Sequence, residues 1–154
     1  MEQYPYFPLF FDLSDKHVFV IGAGKIANRR VQILTEFTKH ITVIAPEIHP
    51  ELEYLAEQRK IQLFKKFYES TDIDTADIVL AAVNNQNINQ QIYQDCKKKN
   101  ILVNVCSDHQ KCDFYFPGII RKDSVIVGVT ADGTHHKQVK ETTELIKQIL
   151  HDEK

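Results

Sequence analysis

Gly22, Gly24 and Ala27, set in the run VFVIGAGKIA at 18–27, are the residues whose types and spacing most directly imply chemistry. Four apolar residues lead straight into a G-x-G-x-x-A pattern, the order expected of a buried strand turning into a helix. Gly22 permits the tight turn, Gly24 lets the backbone approach a pyrophosphate, and Ala27 is small enough for helix to pack on strand. The free N–H groups and positive dipole end of that helix, with Lys25 and Ile26 in its first turn, then face the diphosphate. The chemistry implied is capture of a dinucleotide. A glycine turn in an unrelated α/β protein gives the same pattern, so the surrounding elements decide.

Those elements are in place. KIANRRVQILTEFTKH at 25–40 carries Ile26, Ala27, Val31, Ile33, Leu34 and Phe37 at near-helical spacing, and ITVIAP at 41–46 reads as a second strand. The stretch from Val18 to Pro46 therefore has the length of one βαβ unit, about 30 residues. An acidic residue about 20 positions beyond the glycines commonly holds the ribose 2′-hydroxyl. Glu47, following Pro46, is the candidate. No lysine or arginine lies between His40 and Tyr54 to receive a 2′-phosphate, which favours NAD over NADP.

Strand and helix keep alternating downstream. PELEYLAEQRK reads as a helix, IQLFKKF as a strand, ADIVLAAV at 76–83 as a buried strand, NQNINQQIYQDCKKKN as a helix and ILVNV at 101–105 as a strand. This order predicts an α/β fold with a Rossmann-like, doubly wound parallel sheet, whose ligands bind beyond the carboxyl ends of the strands. Those ends are Gly22, Pro46, the pair Val83 and Asn84, and CSDHQKC at 106–112. Asn84 and Asn85, with Val83, would line a ribose of the cofactor, the bland reading of the two asparagines being a polar turn. His109, as a histidine, suits acid or base work, or is simply a solvated loop residue.

The chain has 154 residues, 43% hydrophobic and 26% charged, with net charge −2. That length allows burial of about 70% of the unfolded surface without disulfides or metals. The charge gives no support for nucleic acid or an anionic membrane as partner. MEQYPYFPLFFDL lacks a basic n-region and a cleavage site, and no apolar run reaches about 18 residues, so cytoplasmic residence is expected. Three cysteines without C-x-x-C spacing argue against a disulfide framework and a zinc ribbon. After residue 113, FYFPGIIRKDSVIVGVTADG suggests two short strands and THHKQVKETTELIKQILHDEK an amphipathic helix. The expected organisation is a dinucleotide-binding domain at 1–113 and an α+β segment at 114–154. About 40 residues do not build a core alone, so that segment is expected to pack on the sheet or exchange with a second subunit.

Almost the whole chain resembles the precorrin-2 dehydrogenase family of sirohaem biosynthesis, the amino-terminal module of sirohaem synthases. The resemblance rests on YPYFPLFFDLSDKHVFVIGAGKIANRR, ITVIAPEIHPEL, ADIVLAAVNNQNIN, ILVNVCSDHQKCDFYFPGIIRKD and VIVGVTADGTHH. It implies oxidation of precorrin-2 by NAD to sirohydrochlorin, in a homodimer whose carboxy-terminal portion makes the subunit contact. Some relatives also insert ferrous iron, and bifunctional ones carry a helical extension beyond the region where this chain stops. Dehydrogenase-only activity is therefore the expectation. The family's general-base aspartate falls, in an ungapped match, on Ser107, and a carboxylate follows as Asp108. Asp108 is accordingly the expected base, with Ser107 or His109 positioning substrate or sharing the proton. Asp108 as a mere turn cap is the competing reading.

His109, Cys112, His135 and His136 offer nitrogen and sulfur ligands. Adjacent residues at a helix start point about 100° apart, and relatives have Ser-Pro at His135 and His136. No metal site is assigned. Lys111, Arg121, Lys122, Lys137 and Lys140 are candidate anchors for the carboxylates of the substrate. The alternatives are a nucleotide-sensing module, which would need neither Asp108 nor CDFYFP, and a degenerate relative that carries tetrapyrrole or metal.

Overall fold

Apolar runs with no polar face suit parallel strands covered on both sides. In the computed structural model, which describes residues 6–152, β1 (Val18–Ile21), β2 (Ile41–Ile44) and β4 (Ile78–Ala81) are buried at every position. With β3 (Gln62–Phe64) and β5 (Leu102–Val105) they form one sheet in the order β3-β2-β1-β4-β5. All four pairings are parallel. Ile21 lies opposite both Ile44 and Ala81, and Ala81 opposite Val105. The carboxyl ends of β1, β2, β4 and β5 are thus level, and the strand order reverses between β1 and β4, where α/β sheets bind ligands.

The helices bury the residues that the spacing marks. From α1 (Lys25–Leu34), Ala27, Val31 and Leu34 turn inward, and from α2 (Pro50–Glu57), Leu52 and Leu55 do. From α3 (Gln86–Lys99), Ile92 and Cys96 enter a cluster with Phe19, Ile21, Val79, Val103 and Val105. α1 stops at Leu34, well short of His40, where the N–H groups of Glu36 and Phe37 shift to tighter bonds with the carbonyls of Ile33 and Leu34 three residues back, and Thr38 Oγ1 accepts the His40 N–H at 3.1 Å. α2 also stops early, in a reversed last turn: Lys60 N donates to Leu55 O and Arg59 N to Ala56 O, with Arg59 at φ 56°. Two short 3-10 turns, Ser70–Ile73 and His109–Lys111, have no counterpart in the sequence reading.

The chain divides into two units, Pro8–Asp113 around the parallel sheet, and residues from Phe114 onward with Tyr6 and Phe7. In the second, β6 (Gly118–Lys122) and β7 (Val125–Val129) make an antiparallel hairpin, followed by α4 (His136–Asp152). A Cβ on Gly118 would sit 2.5 Å from Thr143 Oγ1, so glycine is what lets α4 approach β6. The Tyr6 ring stacks on Tyr115 with centroids 3.8 Å apart. From Tyr6 to Phe11 the chain forms no strand. Leu145 and Ile149 of α4 and Val125 and Ile126 of β7 are exposed. Among the described residues no helix is long and apolar enough to cross a membrane.

Candidate functional site

Gly22 ends β1 with φ 112°, a conformation L side chains rarely adopt, and a Cβ there would lie 2.3 Å from Ala82 O. Its own N–H donates to Ile44 O at 2.9 Å, and Ala82 N donates to Ile21 O at 2.8 Å. One glycine therefore draws the ends of β1, β2 and β4 together. Ala23 O accepts the His49 N–H at 3.1 Å, which holds the segment after Pro46 and Glu47 against the turn. His49 in turn caps α2 through Nδ1, and Glu51 on that helix accepts a hydrogen bond from Asn28 of α1.

The start of α1 is open. No side chain caps it, no acidic residue lies in its first turn, and no heavy atom lies within 4 Å of a Cβ built on Gly24. Lys25 and Ile26 are exposed and Ala27 is buried. Unpaired N–H groups at an uncapped helix start, beside a backbone position without a side chain, fit a pyrophosphate. Pro46, Glu47 and Asn84 are exposed and Val83 half-buried at the same edge of the sheet.

Beyond β5 the chain closes on itself. Asp113 N donates to Val103 O at 2.8 Å, Asp113 Oδ2 accepts the Val103 N–H at 3.0 Å, and Lys97 pairs with the same carboxylate. Asn104 and Cys112 form an antiparallel bridge, and Cys112 Sγ donates to the carbonyls of Val105 and Asp108, each at 3.4 Å. The intervening loop presents Ser107, Asp108, His109 and Lys111. Asp108 Oδ1 accepts the Gln110 N–H at 3.1 Å, and Oδ2 pairs with Lys111 Nζ at 3.0 Å. The Lys111 ammonium, with the Gln110 N–H second, holds the Asp108 carboxyl below its usual range against the cost of burial. The structure thus shows Asp108 in the capping role. A cleft of about 120 Å³ opens here, lined by Gln86, Asn89, Gln90, Ser107, Asp108 and Lys111. His109 is exposed and is not part of its lining. Ligand sites commonly run to about 300–1,000 Å³, so the cleft has room for part of a ligand and not for a macrocycle.

Two side chains that the sequence did not place here, Arg30 reading as a surface residue of α1, brace this loop. Arg30 reaches from α1 to Asn104 Oδ1 at 2.5 Å and Cys106 Sγ at 2.8 Å. Burial nevertheless pushes the Cys106 thiol up, the guanidinium offsetting it only in part. Asn89 bonds both Val83 and Ser107. A signal existed for each: Arg30 stands three residues after Ala27, and Asn89 three before Ile92, so both interrupt a buried helical stripe with a polar group. Among the described residues, no three His, Cys, Asp or Glu side chains gather to hold a metal ion, and His135 instead bonds Asp132 through Nδ1 at 2.8 Å.

Known proteins with similar sequences run through nearly the whole chain. A multifunctional siroheme biosynthesis protein of Ruminiclostridium josui, named HemA and designated probable, is 39% identical over 147 residues, 95% of this chain and 28% of that protein. The siroheme synthase of Zymomonas mobilis is 36% identical over 145 residues, 94% of this chain and 31% of the synthase. The chain thus spans about a third or less of the length of these relatives. Among solved structures, SirC, a precorrin-2 dehydrogenase, superimposes with a TM-score of 0.81 at 23% identity, covering 94% of this chain and 71% of SirC. At that identity the likeness is one of fold, and it agrees with the Rossmann-like sheet. The family model for NAD(P)-binding domains matches residues 9–118, which include the glycine turn, every strand end of the sheet and the 106–112 loop; the chain belongs to this NAD(P)-binding family.

Proposed function

We propose that this chain is an NAD-dependent dehydrogenase module that oxidises precorrin-2 to sirohydrochlorin. The observation that carries the reading is that an open glycine turn and a loop presenting a carboxylate and a hydroxyl both lie at the level strand ends of one sheet. The siroheme synthase and siroheme biosynthesis relatives, aligned along 94% and 95% of the chain, support the substrate. In the reaction, precorrin-2 loses a hydride and a proton, and NAD becomes NADH.

When bound, NAD supplies the hydride acceptor. Gly22, Gly24, Lys25, Ile26 and Ala27 would hold its pyrophosphate, Pro46 and Glu47 the adenosine ribose, and Val83 and Asn84 the ribose nearer the chemistry. The absence of lysine and arginine between His40 and Tyr54 supports NAD over NADP. Asp108 accepts the proton. A macrocycle that has given up a hydride holds its remaining proton weakly, so a carboxylate of low basicity suffices, and its low pKa keeps it ionised in readiness. Ser107 and His109 position the reacting edge, and Lys111 meets a side-arm carboxylate. The 114–154 segment forms the subunit contact of a homodimer, supported by the exposed Leu145, Ile149, Val125 and Ile126.

The test is an anaerobic assay of the purified protein with precorrin-2 and NAD, following NADH absorbance and the product spectrum with and without ferrous or cobalt ions. NADH with metal-free sirohydrochlorin is the expected result. Accelerated metal uptake would add a chelatase activity, and NAD binding without NADH formation would replace the dehydrogenase with a sensing or carrier role.

A further inference from the structure

Asn89 is a polar residue on the buried stripe of α3, one turn before Ile92 and two before Cys96, and only 3% exposed. An amide taken out of water must find partners, or it costs about 1–3 kcal/mol. Asn89 finds three. Its Nδ2 donates to Val83 O at 2.8 Å and to Ser107 Oγ at 3.3 Å, and its Oδ1 accepts the Val83 N–H at 3.2 Å. The two bonds to Val83 close the turn between β4 and α3, which a purely structural asparagine would also do. The third bond leaves that turn for the loop after β5.

The position of these partners matters. The β4–β5 ladder ends where Cys106 N donates to Ala81 O at 2.9 Å, before either segment reaches the residues assigned to cofactor or proton transfer. From there the spacing between Val83 and Ser107 is set by a side chain instead of the ladder. Asn89 also lines the cleft, together with Ser107, Asp108 and Lys111.

We propose that Asn89 is a positioning residue: an amide clamp that fixes the cofactor-lining end of β4 against the Ser107 and Asp108 loop, and so sets the distance over which hydride and proton leave the substrate. The proposal rests on the dehydrogenase reading for its catalytic consequence, but the clamp itself is independent of it. Asparagine suits the task because it presents donor and acceptor on one rigid plane, and aspartate of the same shape keeps only the acceptor.

The experiment compares wild type with Asn89→Ala, Asn89→Asp, Ser107→Ala and the Asn89→Ala, Ser107→Ala double variant in the full chain. Circular dichroism counts the folded molecules, and steady-state kinetics with precorrin-2 and NAD are normalised to them. Deuterium exchange is followed at residues 82–84 and 106–111. Both Asn89 variants are expected to lose about 10- to 100-fold in kcat, with each KM changed by less than about threefold, as misplacement of reacting groups requires. Exchange at 106–111 should quicken, and adding Asn89→Ala to Ser107→Ala should cost less than it does alone. A kcat per folded molecule within about twofold of wild type in both variants overturns the proposal. Should wild type make no NADH from precorrin-2, the dehydrogenase reading falls by itself. Exchange then decides the clamp: faster at 106–111 in the variants upholds it, and unchanged exchange overturns it.

Discussion

Asp108 is held as a carboxylate by its neighbours before any substrate arrives. Its folded pKa lies below the ordinary value, first through Lys111 and then through the Gln110 N–H, so the group stays ionised as pH falls and protonates only below the usual aspartate range. Replacing Lys111 by methionine removes the larger cause. The acid limb of the kcat/KM profile should then move up in pH, toward an ordinary aspartate. A limb that stays put would show that another group titrates there. Asp108→Ala should abolish turnover while NADH, followed by its fluorescence, still binds. Gly24→Asp is the complementary variant. With open space around the Cβ position, the fold should tolerate it, yet the new carboxylate faces the diphosphate, and the NADH dissociation constant should rise by about tenfold or more.

At the scale of elements, glycine and its absence both have measurable consequences. Gly22→Ala would need φ 112° and a Cβ 2.3 Å from Ala82 O. A loss of about 2–4 kcal/mol in urea unfolding is expected from strain and overlap together. Arg59 occupies the left-handed position that ends α2, with φ 56°. Arg59→Gly should stabilise the protein by about 1 kcal/mol, read as an unchanged urea slope with a higher midpoint. The same residue explains where sequence reading went astray. α3 ends at Asn100, φ 55°, a residue type that tolerates the left-handed turn, and its end was legible. Arg59 carries no such signal, and the α2 pattern ran on to Lys60. The inner strands were legible because both their faces are covered, whereas β3, an edge strand of three residues, shrank from the anticipated seven-residue run. The glycine turn announced its own geometry. The bracing by Arg30 and Asn89 did not, because it joins residues 74 and 18 positions apart, and only the folded sheet brings them together.

For the molecule as a whole, the parallel sheet follows from alternating local patterns, while the unit after Phe114 leaves apolar side chains outward on α4 and β7. Leu145→Glu combined with Ile149→Glu should convert a dimer to a monomer in light scattering, without loss of helix, if that face joins two copies. An unchanged mass would move the contact elsewhere. The Arg30 strut carries a further consequence. α1 begins where a diphosphate would dock, and its Arg30 grips Asn104 and Cys106, the last residues before the reacting loop. Settling of the helix start is thereby felt at the loop, and thermodynamic linkage makes such communication run equally both ways. Whatever factor the nucleotide adds to the hold on the macrocycle, the macrocycle returns to the hold on the nucleotide. If the nucleotide tightens the hold on the macrocycle, NADH titrations followed by fluorescence should tighten by the same factor when the macrocycle is present, and Arg30→Ala should bring that factor toward one.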